Sequence, residues 1–422
     1  MYARPVTVAS GVADAACPIA SEPGPGGAQQ VVASNRDLGV ERRTVEAIDP
    51  GQWDTLVAAN PWATPFSAAA FQRAWWDAYG ANAHDETLIV LDRTAPEAGL
   101  VAILPLMRRH AVEPGDQAVH TALRHGHEAP LIPVPAQAST LFMGASYHAD
   151  YATLLAAPAD LADASRAIAA HLAGHESGPG AAPATPDRLA DFAAWDVIDL
   201  RRLRCGDPAG DGLVAAFQAL APDHGWAVTV EREDVCPVAT IPDGADFDGF
   251  LATLDKKERH EIRRKVRRAE GEGEVRLTYA ANPLAELDDF IDLHQARWGA
   301  DGLFPPTEGG DQSRRFIRRL FELFGPEGPV RLTFLSVGER RIGAGIHLEV
   351  PDGFLYYNAG VDPGASSLSP GVLLVAAYVR LAISQGRHRL DFLRGDEGYK
   401  YQWGAVDEPI RRLLVRRQGP DA

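Results

Sequence analysis

Apolar residues recur along this chain with two different periods, and each change of period marks a new element. From Gln52 to Tyr79 the spacing is helical, with Trp53, Phe66, Phe71, Trp75 and Trp76 marking the apolar faces. Thr87 to Leu91 and Leu100 to Met107 read as strands around the turn Pro96-Glu97-Ala98-Gly99. After an irregular stretch at 110–150, the pattern predicts a helix over Leu161 to Leu172 and a Gly/Ala/Pro stretch at 174–187. A strand over Asp196 to Leu203, a helix over Leu213 to Leu220 and a strand over Trp226 to Ile241 close the first half.

The second half repeats this order with stronger signals. A strand at Val275 to Tyr279 precedes helices at Pro283 to Trp298 and Arg314 to Phe324, followed by strands at Val330 to Val337, Ile342 to Val350 and Phe354 to Gly360. A helix over 370–384, a strand over Arg389 to Leu393 and a last strand over Ile410 to Arg416 complete it. Two mixed α/β series in tandem predict a duplicated fold, although the repeat lies in element order and not in residue identity. The expected divisions are a disordered tail at 1–40, a first domain at 41–242 and a second at 243–420 that carries a basic helix at 255–270.

Composition narrows the function. A chain of 422 residues with 46% apolar residues can bury two ordinary cores, and a formal net charge of −16 excludes a general nucleic-acid or anionic-membrane binder. No DNA partner is therefore expected, and any polyanion contact has to be local. Cys17, Cys205 and Cys236 lack metal-site or disulfide-framework spacing, which points to a reducing cytoplasm. No run approaches the roughly 18 apolar residues of a membrane span. No HExxH, Walker or GxSxG pattern occurs, so no metal is expected.

The densest chemistry lies in Asp391-Phe392-Leu393-Arg394-Gly395-Asp396-Glu397-Gly398-Tyr399-Lys400, directly behind an apolar strand. Upstream, Ser366-Ser367-Leu368-Ser369-Pro370-Gly371-Val372 opens a helix; Ser369 is the expected N-cap and Pro370 suits the first turn. Free amides at such a start attract a phosphate. Between Lys256 and Arg268, Lys256, Arg259, His260, Arg263 and Arg267 share one basic face, and Lys257, Arg264 and Arg268 form a second ridge.

Together, Tyr356-Tyr357-Asn358-Ala359-Gly360, Ser369-Pro370-Gly371-Val372 and Asp391-Phe392-Leu393-Arg394-Gly395-Asp396-Glu397, with Tyr399, Lys400 and Trp403, resemble the BioF2-like/CelD-like acetyltransferase branch of the GNAT superfamily. That family is related to the double-GNAT, FemAB-type aminoacyltransferases. The resemblance is specific over about 247–405; earlier it rests on Leu104-Pro105-Leu106, Asp150-Tyr151 and strand order. It implies tandem GNAT domains on a mixed α/β sheet and N-acyl transfer, from acetyl-CoA or another acyl-CoA, to an amine of a small molecule or of a glycan or peptide precursor of the cell envelope. The family's usual Arg/Gln-x-x-Gly-x-Gly/Ala loop has no counterpart here. A tRNA-dependent aminoacyl transfer to peptidoglycan precursors and a non-catalytic accessory role are the alternatives.

On that resemblance Tyr399 is the expected general acid, and Asp391 the base or the group that grips the amine. Ser366, Ser367, Ser369, Gly371 and Val372 are expected at the donor phosphates. Arg259, Arg263, Trp298, Tyr356, Asn358, Arg394 and Lys400 are expected at the substrate. Arg394 and Lys400 have a second possible use, pairing with Asp396 and Glu397 to staple their own loop.

Overall fold

The computed structural model describes residues 36–94, 99–109, 131–135, 137–174 and 195–417. The expected tail up to residue 35, the turn at 96–98, and the stretches at 110–130 and 175–187 lie outside the described residues. Strand β1 (Leu38–Arg42) leads to helices α1 (Pro50–Ala59) and α2 (Ala69–Tyr79), then to β2 (Ala83–Asp85), β3 (Leu88–Asp92), β4 (Leu100–Leu104) and β5 (Leu106–Arg109). Next come β6 (Thr140–Met143), β7 (Leu155–Ala156), α3 (Leu161–Ala173), β8 (Val197–Arg204), α4 (Pro208–His224) and β9 (Trp226–Thr240). The later part holds α5 (Phe247–Ala252), α6 (Lys256–Glu272), β10 (Val275–Tyr279), α7 (Leu287–Trp298) and α8 (Glu308–Phe324). It ends with β11 (Val330–Val337), β12 (Arg340–Val350), β13 (Gly353–Val361), α9 (Pro370–Ser384), β14 (Arg389–Asp391), α10 (Gly398–Tyr401) and β15 (Val406–Arg417).

Local chemistry divides two of the expected elements. The long helix over 52–79 is two helices, because Asn60 leaves helical geometry and the segment before α2 contains Pro61 and Pro65. Asn60 fixes this corner by donating from Nδ2 to the Leu154 carbonyl at 2.9 Å and accepting from the Trp62 amide. The strand expected over 100–107 breaks at Pro105, so that β4 and β5 enter different sheets. Strand β1 begins at Leu38, inside the stretch read as tail.

The fold is a mixed α/β structure built on one large sheet. A four-stranded sheet has the order β1-β3-β4-β7, and an eleven-stranded sheet runs β10-β11-β12-β13-β14-β9-β15-β8-β6-β5-β2. The C-terminal strand β15 lies between β9 and β8, antiparallel to both, so the large sheet is continuous across the two halves. One core is also shared: Phe71, Trp75, Tyr79 and Tyr151 pack with Phe290, Phe316, Leu332 and Ile410. On the opposite face, α6 and α9 bury Ile262, Val266, Leu374 and Tyr378 with Tyr356, Phe392 and Trp403. Among the described residues, no helix is long and apolar enough to cross a membrane.

Candidate acyl-transfer site

The large sheet forks between β13 and β14. The two strands pair in parallel over only three positions, Gly353 with Arg389, Phe354 with Leu390 and Leu355 with Asp391. Beyond that point the chain stays with β9, through Phe392 N–H to Pro237 O at 3.0 Å and Gly395 N–H to Val235 O at 3.0 Å. Strand β13 runs on without it. A shift of register against β12 between Ile346 and His347 leaves Tyr357 as an extra residue. This bulge resets the alternation: Ala359 packs in the same core as Tyr356, whereas Tyr357 joins the opposite one.

Aromatic rings line the root of the fork. The Phe392 ring meets Tyr356 and Tyr399 edge-on, each at a centroid distance of 6.0 Å. Tyr356 is buried, and its phenol is pushed up by burial and then by the neighbouring Tyr399 and Tyr378. Tyr399 keeps 40% of its surface exposed; burial of the remainder and the Glu397 carboxylate push its phenol up, opposed by Arg297. Both phenols therefore hold their protons at neutral pH.

Helix α9 begins on the same side. Ser369 precedes it at φ 58°, ψ 57°, a left-handed conformation that strains a residue with a side chain. Its hydroxyl does not cap the helix, which corrects the expected N-cap; Ser369 Oγ instead accepts from Arg268 Nη2 at 2.9 Å. The Val372 amide is not free for a ligand either, since it and the Leu373 amide both bond to the Ser369 carbonyl. Pro370 has no N–H, which leaves the Gly371 amide as the open donor of this turn. A Cβ on Gly371 would lie 3.9 Å from Arg297 Nη1. The Arg297 guanidinium sits 4.9 Å from the ring centroid of Trp298, which is 45% exposed. Ser366 and Ser367 are exposed on the turn just before.

Of the residues expected at the site, Ser369, Gly371, Tyr356, Tyr399 and Trp298 come together, with Ser366 and Ser367 at the margin. Asn358 is half-buried beside the bulge. Sequence reasoning passed over Arg297 and placed Arg268 only on the second ridge of the basic helix. They lie on two different helices, and the signal present, an arginine beside the exposed Trp298, did not say what it would meet.

The structure corrects the expectations for five other residues. Lys400 is 2% exposed, and its Nζ donates to the carbonyls of Leu393, Arg394 and Gly395 at 2.8–3.0 Å and pairs with Glu397 at 2.9 Å, so of its two expected uses the structure shows the loop staple and not the substrate contact. Arg394 pairs with neither Asp396 nor Glu397 but with Asp150 of the first half, at 3.2 Å. Arg259 donates to the Ala252 carbonyl, and Arg263 pairs with Asp248 at 2.8 Å; both are tied to the segment before α6. Asp391 is 1% exposed, with both oxygens engaged: Tyr151 Oη donates at 2.7 Å and the Leu393 amide at 2.8 Å. Burial pushes its carboxyl up to about 6 despite these bonds. It faces the core shared by the halves, while Phe392 faces the tyrosines.

A second buried chain of polar groups enters from the first half. Tyr357 Oη donates to the His148 carbonyl and lies 3.1 Å from His148 Nδ1, while His148 Nε2 lies 2.7 Å from Tyr79 Oη. Nδ1 must therefore carry the proton and Nε2 accept from Tyr79. Burial pushes the imidazole down to about 3, so it is neutral. His294, bonded to the Ala359 carbonyl and the Leu303 amide, is likewise a packed, neutral histidine. Among the described residues no group of three His, Cys, Asp or Glu could hold a metal. Cys236 is free and buried.

Residues 256–401 match the model of the acetyltransferase (GNAT) domain. This segment is a GNAT-type acetyltransferase domain. It includes α6, β13 and β14, the start of α9 and Tyr399; β9 and the polar groups contributed by the first half lie outside it. No curated protein matches the chain. The crystal structure of FemX is similar in fold, with a TM-score of 0.53 at 9% identity over 86% of this chain and 96% of FemX. A conserved protein of unknown function from Bacteroides thetaiotaomicron gives 0.49 at 12% identity, over 87% and 98%. A tandem GNAT protein from the clavulanic acid biosynthesis pathway gives 0.45 at 11% identity, over 91% and 99%.

Proposed function

We propose that this protein is an N-acyltransferase that moves an acyl group, acetyl in the first instance, from a phosphopantetheine thioester such as acetyl-CoA to an amine of a small-molecule or cell-envelope precursor. The observation that carries the reading is the fork between β13 and β14 with the start of α9 beside it. In this reading an extended thioester arm lies between the strands, with its phosphate near the Gly371 amide, Arg268 and Arg297. The acceptor amine attacks as the neutral base; the C–N bond forms, the C–S bond breaks and one proton passes from nitrogen to sulfur. Tyr399 holds its proton near the fork and bonds to the departing sulfur, and Arg297 beside it favours the charge that develops there. Trp298 supplies an exposed wall for the acceptor, and Asp391 acts at one remove, by fixing the root of the fork.

Calorimetric titration with acetyl-CoA tests the donor. Saturable binding in the micromolar range is expected, weakened about tenfold by Arg268→Ala and abolished in a folded Gly371→Trp variant. With an accepted amine, Tyr399→Phe lowers kcat at least about tenfold and leaves donor affinity unchanged. Failure of acetyl-CoA and acetyl-phosphopantetheine alike to bind removes the assignment, and unchanged turnover in Tyr399→Phe removes Tyr399 as the acid. Aminoacyl-tRNA-dependent transfer shares the acceptor chemistry and differs in the donor, so the same titration separates it.

A further inference from the structure

Helix α6 concentrates cations in a chain of net charge −16: its 17 residues carry eight Lys and Arg against four Glu. Ile262, Val266 and Ala269 bury one face, and Lys257, His260, Arg264 and Arg267 are exposed on the other. Their spacings of three, four and three residues make a straight stripe about 15 Å long. Arg264 is held by Glu261, but Lys257, His260 and Arg267 have no carboxylate partner among the described residues. The stripe ends beside Arg268, whose guanidinium touches Ser369 at the start of α9. It therefore leads directly into the donor end of the fork.

That donor end is sparse. Pro370 and the Ser369 carbonyl leave one open amide, Gly371, where a pyrophosphate cradle takes a run of consecutive free amides. One amide with two guanidiniums, Arg268 and Arg297, suits a single phosphate. We propose that the preferred donor is the acyl-phosphopantetheine arm of a small acidic carrier protein, whose carboxylate-bearing helix lies along Lys257, His260, Arg264 and Arg267 of α6. The inference rests on the acyltransferase reading above and names the partner of that site. The balance is unchanged: the carrier's thioester C–S bond breaks, the amide C–N bond forms and the amine proton ends on the carrier thiol. The stripe is one helix wide and flanked by Asp248, Glu258, Glu261 and Glu270. An RNA duplex, charged every ~1.7 Å of its length by the measure of duplex DNA, calls for a broader basic surface than this.

The probe is the acyl carrier protein of bacterial fatty-acid synthesis, loaded with acetyl and titrated into the full chain. Binding is expected at low salt and weakens at least about tenfold on raising salt to about 0.5 M. A Lys257→Glu/Arg264→Glu/Arg267→Glu variant, folded by circular dichroism, loses at least about tenfold for the carrier and less than about twofold for acetyl-phosphopantetheine. Equal losses for both probes, no carrier binding, or tighter binding of a short RNA duplex each overturn the carrier proposal. Acetyl-CoA binding that persists in those cases leaves the acyltransferase reading standing; failure of acetyl-CoA and acetyl-phosphopantetheine alike to bind the wild type removes that reading itself.

Discussion

Asp391 shows how a residue's type can be legible while its task is not. A carboxylate at the end of an apolar strand is a natural choice of base, but alternation gives it only one face, and here that face is the core. Its raised pKa has a consequence for stability. The folded chain holds the proton up to about pH 6, whereas the unfolded chain releases it near the ordinary carboxylate value of 3.8, so stability falls as pH rises through that window. The resulting penalty at neutral pH is on the order of 3 kcal/mol. Asp391→Asn should flatten this fall, as measured by the difference between wild-type and variant denaturation midpoints at pH 4 and pH 7. Equal pH dependence in the two proteins would show that burial does not perturb this carboxyl. Lys400 teaches the same lesson in reverse, since a lysine in a charged loop reads as a ligand group until its three carbonyl partners are seen.

At the scale of elements, the fork follows from a competition between neighbours for a short strand. Strand β14 has three ladder positions toward β13, and the chain beyond it continues along β9 instead. Leu393 adopts φ 58° with its amide on Asp391, and Lys400 binds the carbonyls of residues 393–395. A non-glycine residue in that region costs roughly 1–2 kcal/mol, so the lysine is what holds the strained exit in place. Lys400→Met removes three charge-assisted bonds to carbonyls and the ion pair to Glu397, and leaves buried carbonyls unsatisfied. A loss of about 3 kcal/mol in chemical denaturation is expected, with donor binding weakened in parallel as the fork relaxes. Unchanged stability would mean that the loop has another support. The expectation of a strand over 389–393 was close for the backbone, because residues 392 and 395 still bond to β9; the departure from β13 left no trace in local sequence.

At the scale of the molecule, the two halves cannot be separated at the boundary read from the pattern. Strand β9 precedes residue 243 yet pairs with both β14 and β15, and β15 also pairs with β8. Arg412 on β15 is fully buried and bonds Asp199 on β8 and Glu231 on β9, a triad that is costly to break from one side. The ties Tyr151–Asp391, Arg394–Asp150 and Tyr357–His148 cross the same divide. A chain of residues 243–420 alone would expose the edges of β14 and β15 together with unpaired buried charge. It should be insoluble or unfolded by circular dichroism, while the full chain melts in one cooperative transition. A soluble, folded fragment that binds acetyl-CoA would show that the second half is self-sufficient.

Hydrophobic period alone determined the element types, the order of strands and helices in the second half and the mixed α/β class. Those depend on local spacing and on which face each segment must bury. The start of α9 and the presence of Tyr399 just beyond β14 were likewise legible, because the preference of Pro370 for a first helical turn is short-range, whereas the cap expected of Ser369 was lost to Arg268. Tertiary structure decided the rest: which side of the fork each charged residue faces, that Arg268 reaches Ser369 and Arg297 reaches Gly371 at the start of α9, and that Lys400, Arg394 and Asp391 are spent within the fold. Electrostatic partners lie tens to hundreds of residues apart in sequence, and burial sets whether a charge is free to bind or must be satisfied where it stands.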